Sequence, residues 1–266
     1  MCSYRGWLIK VLSIVVGLVY SGLVIGETPE EKGLRLTQEE NAFNQGWQDF
    51  EAKLRLTLRN KQGEENVFTM RMLTKEVEGD GDKSIIVFDS PGDIRGTALL
   101  SHTHTLKADD QWLYLSAIKR IKRISSNNKS GPFLGSEFAY EDLTSPETEK
   151  YTYRWLKEEA IDGRLTDVIE QYPTYKYSGY KRLVKWLDKD YRQPVKVEFY
   201  DRKDRHLKTL TSSDFEQYLG VYWYPSMMFM DNHQTGKNTV LAWEDYVFRK
   251  GLTDRDFNRN ALKRLR

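Results

Sequence analysis

Residues 50–59, Phe-Glu-Ala-Lys-Leu-Arg-Leu-Thr-Leu-Arg, alternate apolar and polar at every step. Phe50, Ala52, Leu54, Leu56 and Leu58 share one face; Glu51, Lys53, Arg55, Thr57 and Arg59 share the other. A helix would scatter those apolar groups around its whole circumference. Only a strand, with its two-residue period, sorts them onto one side. This segment therefore belongs to a sheet with one wet and one greasy face. Residues 60–64, with Gly63, read as a hairpin loop, and 66–75 return with Phe68, Met70 and Met72 on the apolar side.

Short alternating runs then continue almost to the end. The pattern predicts strands at 84–89, 97–104, 111–115, 120–125, 150–156, 166–171, 182–187, 195–200, 206–210, 222–230 and 239–247. Turn signals such as Ser90-Pro91-Gly92-Asp93 separate them. No long helical periods are interleaved, which argues against a parallel α/β sheet. Helices are expected at both ends. Residues 30–49 place Leu36, Phe43 and Trp47 on one face, and 254–265 carry a stripe of Phe257, Ala261, Leu262 and Leu265 behind Thr253 as N-cap. A single antiparallel sheet must cover its greasy face. Helices could cover it fully; a curved sheet only partly plugged would keep an apolar cavity.

The first 26 residues read as a cleaved secretory signal peptide. Arg5 and Lys10 precede an uncharged run from Val11 to Ile25, and Val24-Ile25-Gly26 suits a cut before Glu27. Cys2, the single cysteine, lies ahead of the apolar run, so it is not a lipidation site and would be lost with the leader. Residues 27–266 are expected to form one domain. Removing two basic residues from 41 leaves 39 Lys+Arg against 39 Asp+Glu, a neutral chain without the electrostatic footprint of a nucleic-acid binder.

Catalytic signatures are missing from the sequence. His102-Thr-His104 would place two rings on one face of a strand, short of the third ligand that a metal site needs. Glu137, Glu141 and Asp142 lie among glycines and aromatics, where bonding to backbone or a neighbouring arginine is the expected role. The expectation is a protein that is no enzyme and needs no cofactor and no metal. Lys119, Arg120, Lys122 and Arg123 fall within seven residues. They read either as a charge-guarded edge strand or as a contact for anionic head groups or a partner. Met227, Met228 and Met230 follow Tyr222-Trp-Tyr224, a soft surface suited to flexible acyl chains.

Several stretches together resemble the LolA-like outer-membrane lipoprotein-sorting protein family. They are residues 88–100 (FDSPGDIRGTALL), 110–115 (DQWLYL), 119–124 (KRIKRI), 135–143 (GSEFAYEDL), 197–201 (VEFYD) and 232–237 (NHQTGK). The resemblance implies a mainly β (α+β) fold: a single curved antiparallel sheet, an unclosed half-barrel, with lid helices near both ends. It also implies a periplasmic carrier or chaperone whose partners are lipid or lipoprotein acyl chains, an RND-type inner-membrane exporter and an outer-membrane acceptor. The alternative is a lipid-sensing or exporter-docking module on the same fold. Phe50, Leu54, Leu56, Leu58, Phe68, Met70, Met72, Phe88, Trp112 and Met228 are the candidates to line the cavity. The helix at 30–49 or the C-terminal one is the expected lid.

Overall fold

The computed structural model describes residues 26–145 and 147–264, so all but the last residue of the expected leader lies outside the described residues. One antiparallel sheet holds thirteen strands. They are β1 (Asp49–Arg59), β2 (Glu65–Lys75), β3 (Lys83–Ser90), β4 (Ala98–His102), β5 (Asp110–Leu115), β6 (Arg120–Ile124), β7 (Tyr151–Ile161), β8 (Arg164–Pro173), β9 (Tyr180–Asp188), β10 (Pro194–Asp201), β11 (His206–Tyr218), β12 (Tyr222–Asn232) and β13 (Lys237–Phe248). The spatial order is β6-β5-β4-β3-β2-β1-β13-β12-β11-β10-β9-β8-β7. Two meanders are thus joined where the first strand pairs with the last, in a register running from Phe50 opposite Phe248 to Arg59 opposite Asn238.

The sheet is bent into a trough and does not close: β6 and β7 stand at its two free edges. In a flat sheet, eight strand spacings of about 4.8 Å would put β4 and β9 nearly 40 Å apart. Here one apolar cluster joins Phe88 and Leu99 of β3 and β4 to Leu183 and Phe199 of β9 and β10. The alternation read in 50–59 fixes which side faces in. Leu54 and Leu56 are 3% and 2% exposed, while Lys53 and Arg55 face solvent.

One α-helix, α1 (Pro29–Phe43), precedes the sheet. Thr28 caps it, and Glu31 reaches back to the Thr28 amide at 2.8 Å, completing a capping box with Pro29 in the first turn. The helix is shorter than the expected 30–49. Gly46 (φ 96°) and Gln48 (φ 72°) adopt left-handed conformations that turn the chain into β1. Trp47 therefore leaves the helical stripe and packs on Phe50 with ring centroids 5.1 Å apart. The helix lies on β7, close enough that a Cβ on Gly33 would come within 2.8 Å of the Trp155 amide nitrogen. Lys32 sits 3.5 Å above the Trp155 ring, and Leu36 packs with Tyr153, Ile169 and Leu187.

The expected C-terminal helix is not an α-helix. Residues 253–264 form successive turns ending in a 3-10 turn, Ala261–Lys263. The Asn258 side chain accepts from the Asn260 and Ala261 amides at 2.9 and 3.0 Å, diverting groups that an α-helix would use. Phe257, Ala261 and Leu262 are buried, with Phe257 and Leu262 packed against Ile85, Val87 and Leu100 on the outer face of β3 and β4. This segment cannot be a lid over the trough. Leu265 lies outside the described residues.

Candidate functional site

β6 and β7 follow one another in sequence but stand at opposite edges, so residues 125–150 must cross the sheet. They cross inside the trough and fill part of it. Phe133 and Phe138 stand at the base of a tight turn, with the Phe133 amide donating to the Phe138 carbonyl at 2.7 Å and Gly135 at φ 84°. Both rings are buried, and Phe133 lies 5.8 Å from Phe88.

Carboxylates hold this plug in place. Asp142 accepts from the Lys208 ammonium at 2.6 Å, the Tyr180 hydroxyl at 2.7 Å and the Ala139 amide at 2.7 Å. The Lys208 and Asp142 side chains are 4% and 7% exposed. Glu141 accepts from the Gly179 amide at 2.8 Å, the Tyr175 hydroxyl at 2.9 Å and the Ser178 hydroxyl at 3.0 Å. Burial raises the Glu141 carboxyl above its ordinary range. At Glu137 the backbone is used as well: its amide donates to Thr239 Oγ1 at 3.0 Å and its carbonyl accepts from Lys208 at 2.8 Å, while its carboxylate accepts from the Asn232 side-chain amide at 2.5 Å. All three acidic residues tie the plug to the sheet, Asp142 through a lysine in place of the expected arginine.

Two adjoining cavities remain between plug and sheet. The smaller, about 220 Å³, is bounded by Leu54, Leu56, Met70, Met72, Ile86, Leu241 and Trp243 below and by Phe133, Phe138 and Leu143 of the plug. The larger, about 590 Å³, has an apolar floor of Leu183, Val197, Phe199, Leu210, Met228 and Met230. Its rim is polar: Glu40 with Lys185, and Asp109 with Lys129 and Lys150, form buried ion pairs. Phe138, Asp142, Thr144, Ser145 and Met228 border both cavities. Burial pushes the Tyr151, Tyr175 and Tyr180 hydroxyls up, so they stay neutral donors. Where the plug meets the β2–β3 loop, burial lifts Asp82 to about 6 and Glu147 to about 7. The Ser145 hydroxyl donates to Asp82 at 3.1 Å.

Such a trough has an apolar floor, a polar rim and a partial filling made by its own chain. Comparison with known proteins gives it a family. A structure of a domain from Vibrio parahaemolyticus, described as an outer membrane lipoprotein-sorting protein domain, superposes with a TM-score of 0.86 at 55% identity, covering 88% of this chain and 99% of that one. The chain belongs to the LolA-like outer membrane lipoprotein-sorting protein family. A DUF1329 family protein from Desulfovibrio piger is 29% identical with a TM-score of 0.84, covering 88% of this chain and 99% of that one. A LolA superfamily protein from Nitrosomonas europaea, 22% identical over 86% of this chain and 98% of that one, shares the fold with a TM-score of 0.69. A family model described as "Uncharacterized protein" matches residues 80–264. No curated protein matches.

Within this LolA-like trough the expected lining residues separate. Leu54, Leu56, Met70, Met72 and Met228 line the smaller cavity. Phe88 is fully buried beneath Phe133, and Leu58 and Phe68 pack beside the same cluster without bordering a cavity. Phe50 belongs to a separate aromatic group with Trp47, Tyr222 and Tyr246. Trp112 is on the wrong face: it packs outside the trough, on the cluster that receives Phe257. Lys119, Arg120, Lys122 and Arg123 are all exposed on or beside the edge strand β6, Arg123 pairing with Asp110. His102 Nε2 lies 2.7 Å from the Phe257 carbonyl and His104 Nδ1 lies 2.7 Å from Asp80. Among the described residues no three His, Cys, Asp or Glu converge as a metal site would require.

Met228 apart, the floor of the larger cavity escaped the sequence reading, although the alternation of Val197 and Phe199 signalled it. Phe133 and Phe138 also escaped, and their only signal is two aromatic residues bracketing Gly135 outside any strand period.

Proposed function

We propose that this protein is a periplasmic carrier that shelters lipoprotein acyl chains or another lipophilic cargo in the trough and hands it towards the outer membrane. The supporting observation is an apolar floor covered in part by Phe133, Phe138 and Leu143 of the chain's own plug, which a cargo would have to displace. The larger cavity, about 590 Å³, has the size of a small-molecule site, and the smaller one of about 220 Å³ adjoins it. Burying an acyl chain gains about 0.8 kcal/mol per methylene, or on the order of 12 kcal/mol for sixteen carbons. That is too tight for ready release. Exposing Phe133, Phe138 and Leu143 would return about 1.5–3 kcal/mol each, which leaves a net affinity compatible with transfer. The reading includes an RND-type exporter as donor and an outer-membrane acceptor, and it requires no covalent chemistry.

A second reading, a lipid-sensing or exporter-docking module, draws on the plug already occupying much of the apolar face. Native mass spectrometry of residues 27–266 purified under mild conditions separates the two. A bound lipid or acylated peptide is expected for the carrier. A clean apo mass, unchanged after incubation with phospholipid and lipopeptide, would transfer the assignment to the module.

A further inference from the structure

On the outer face, across the sheet from the trough, the C-terminal segment, β5 and the edge strand β6 bound a cleft of about 780 Å³. Arg123, Arg255, Arg259 and Arg264 line it together with Trp112 and Ile121. The Arg259 guanidinium stands 5.9 Å from the Trp112 ring centroid. Arg123 is neutralised by Asp110. Among the described residues, Arg255, Arg259 and Arg264 have no carboxylate partner, and all three are exposed. The acids that neighbour them in sequence are engaged elsewhere: Asp254 with Lys75 and Lys83 at 3.1 and 3.0 Å, Asp256 with the Thr253 amide at 2.7 Å.

The segment is anchored by Phe257 and Leu262, so its packing does not need these guanidiniums. Converging like charges repel, and a bound anion would relieve the repulsion. Arginine's planar fork matches phosphate oxygens in bidentate geometry. An indole beside such a group suits a bilayer interface. The hollow has the size of a small-molecule site, which favours a head group over the acidic surface of a protein. We propose that this cleft receives the phosphate of an anionic phospholipid and seats the protein on a membrane surface by its outer face. The inference does not rest on the carrier reading, since the cleft and the trough lie on opposite faces.

The test is co-sedimentation of residues 27–266, which contain the whole sheet and α1, with vesicles. Wild-type protein is expected to pellet with phosphatidylglycerol–phosphatidylcholine vesicles and not with pure phosphatidylcholine. Arg255→Gln/Arg259→Gln, both on exposed side chains, is expected to lower the partition coefficient more than about tenfold. Lys61→Gln/Lys203→Gln, which removes the same charge from distant exposed sites, should lower it less than about twofold. Arg264→Gln alone serves as an independent second variant, expected to weaken binding about fivefold. Equal losses in the two double variants would overturn the site, as would failure of the wild type to bind the anionic vesicles. Binding of glycerol phosphate or an acidic peptide without vesicle binding would overturn the membrane assignment. Uptake of lipid by the trough would persist with pure phosphatidylcholine and is thereby told apart.

Discussion

Lys208 and Asp142 meet in the interior, where each justifies the other's burial. The ammonium also lies 5.0 Å from the Phe199 ring centroid and 5.3 Å from that of Tyr180. Lys208→Met would leave the Asp142 carboxylate buried without its cation and is expected to cost about 3–5 kcal/mol, read from urea unfolding. Asp82 and Glu147 act in the opposite sense. Unfolded, such carboxyls titrate near 4; folded, they titrate at about 6 and about 7. Between those values the folded chain holds protons that the unfolded chain has released, so their contribution to stability falls as pH rises from about 4 to about 7. Asp82→Asn and Glu147→Gln are expected to raise the urea midpoint at pH 8 and to flatten its fall between pH 5 and pH 8. A midpoint that fell with either substitution would show that the carboxylate is stabilised in the fold.

At the scale of elements, α1 depends on a missing side chain. Gly33→Ala would press a methyl group against the backbone of Arg154 and Trp155, and overpacking of this kind costs about 1–3 kcal/mol. Undocking of the helix would appear as a change in Trp155 fluorescence. The plug depends on its two rings. Phe133→Ala/Phe138→Ala is expected to lower stability by several kcal/mol while increasing the amount of lipid retained in native mass spectra. All thirteen strands were legible in the sequence, most through alternation and β3, which is buried on both faces, through its continuous apolar run. The helices were less so: the stripe through Trp47 and the stripe through Leu265 have helical spacing, but a left-handed turn ends one and the Asn258 side chain diverts the other. Trp112 was misplaced because residues 112–115 are apolar on both faces, so alternation cannot choose between Trp112 with Tyr114 and Leu113 with Leu115. The plug has no period at all. Its path follows from the placement of two edge strands, a property of the folded sheet rather than of any local window.

At the scale of the molecule, the plug is tied covalently to both free edges of the trough. Lifting it to admit cargo must therefore pull on β6 and β7, and filling is coupled to how far the edges stand apart. Hydrogen exchange is expected to speed up across residues 125–150 on lipid loading, with β1, β2 and β13 unchanged. Unaltered exchange in 125–150 would remove the plug from the mechanism. The pairing of β1 with β13 bears on the order in which the chain can be assembled. During synthesis β2 to β6 can zip onto one side of β1, but its other side stays bare until residues 237–248 exist. Contacts of such sequence separation form slowly, and an unpaired strand edge beside a greasy face recruits other chains. For most of its emergence from the ribosome, then, this polypeptide is safest unfolded and escorted, and its native state becomes available only after the last strand has been made.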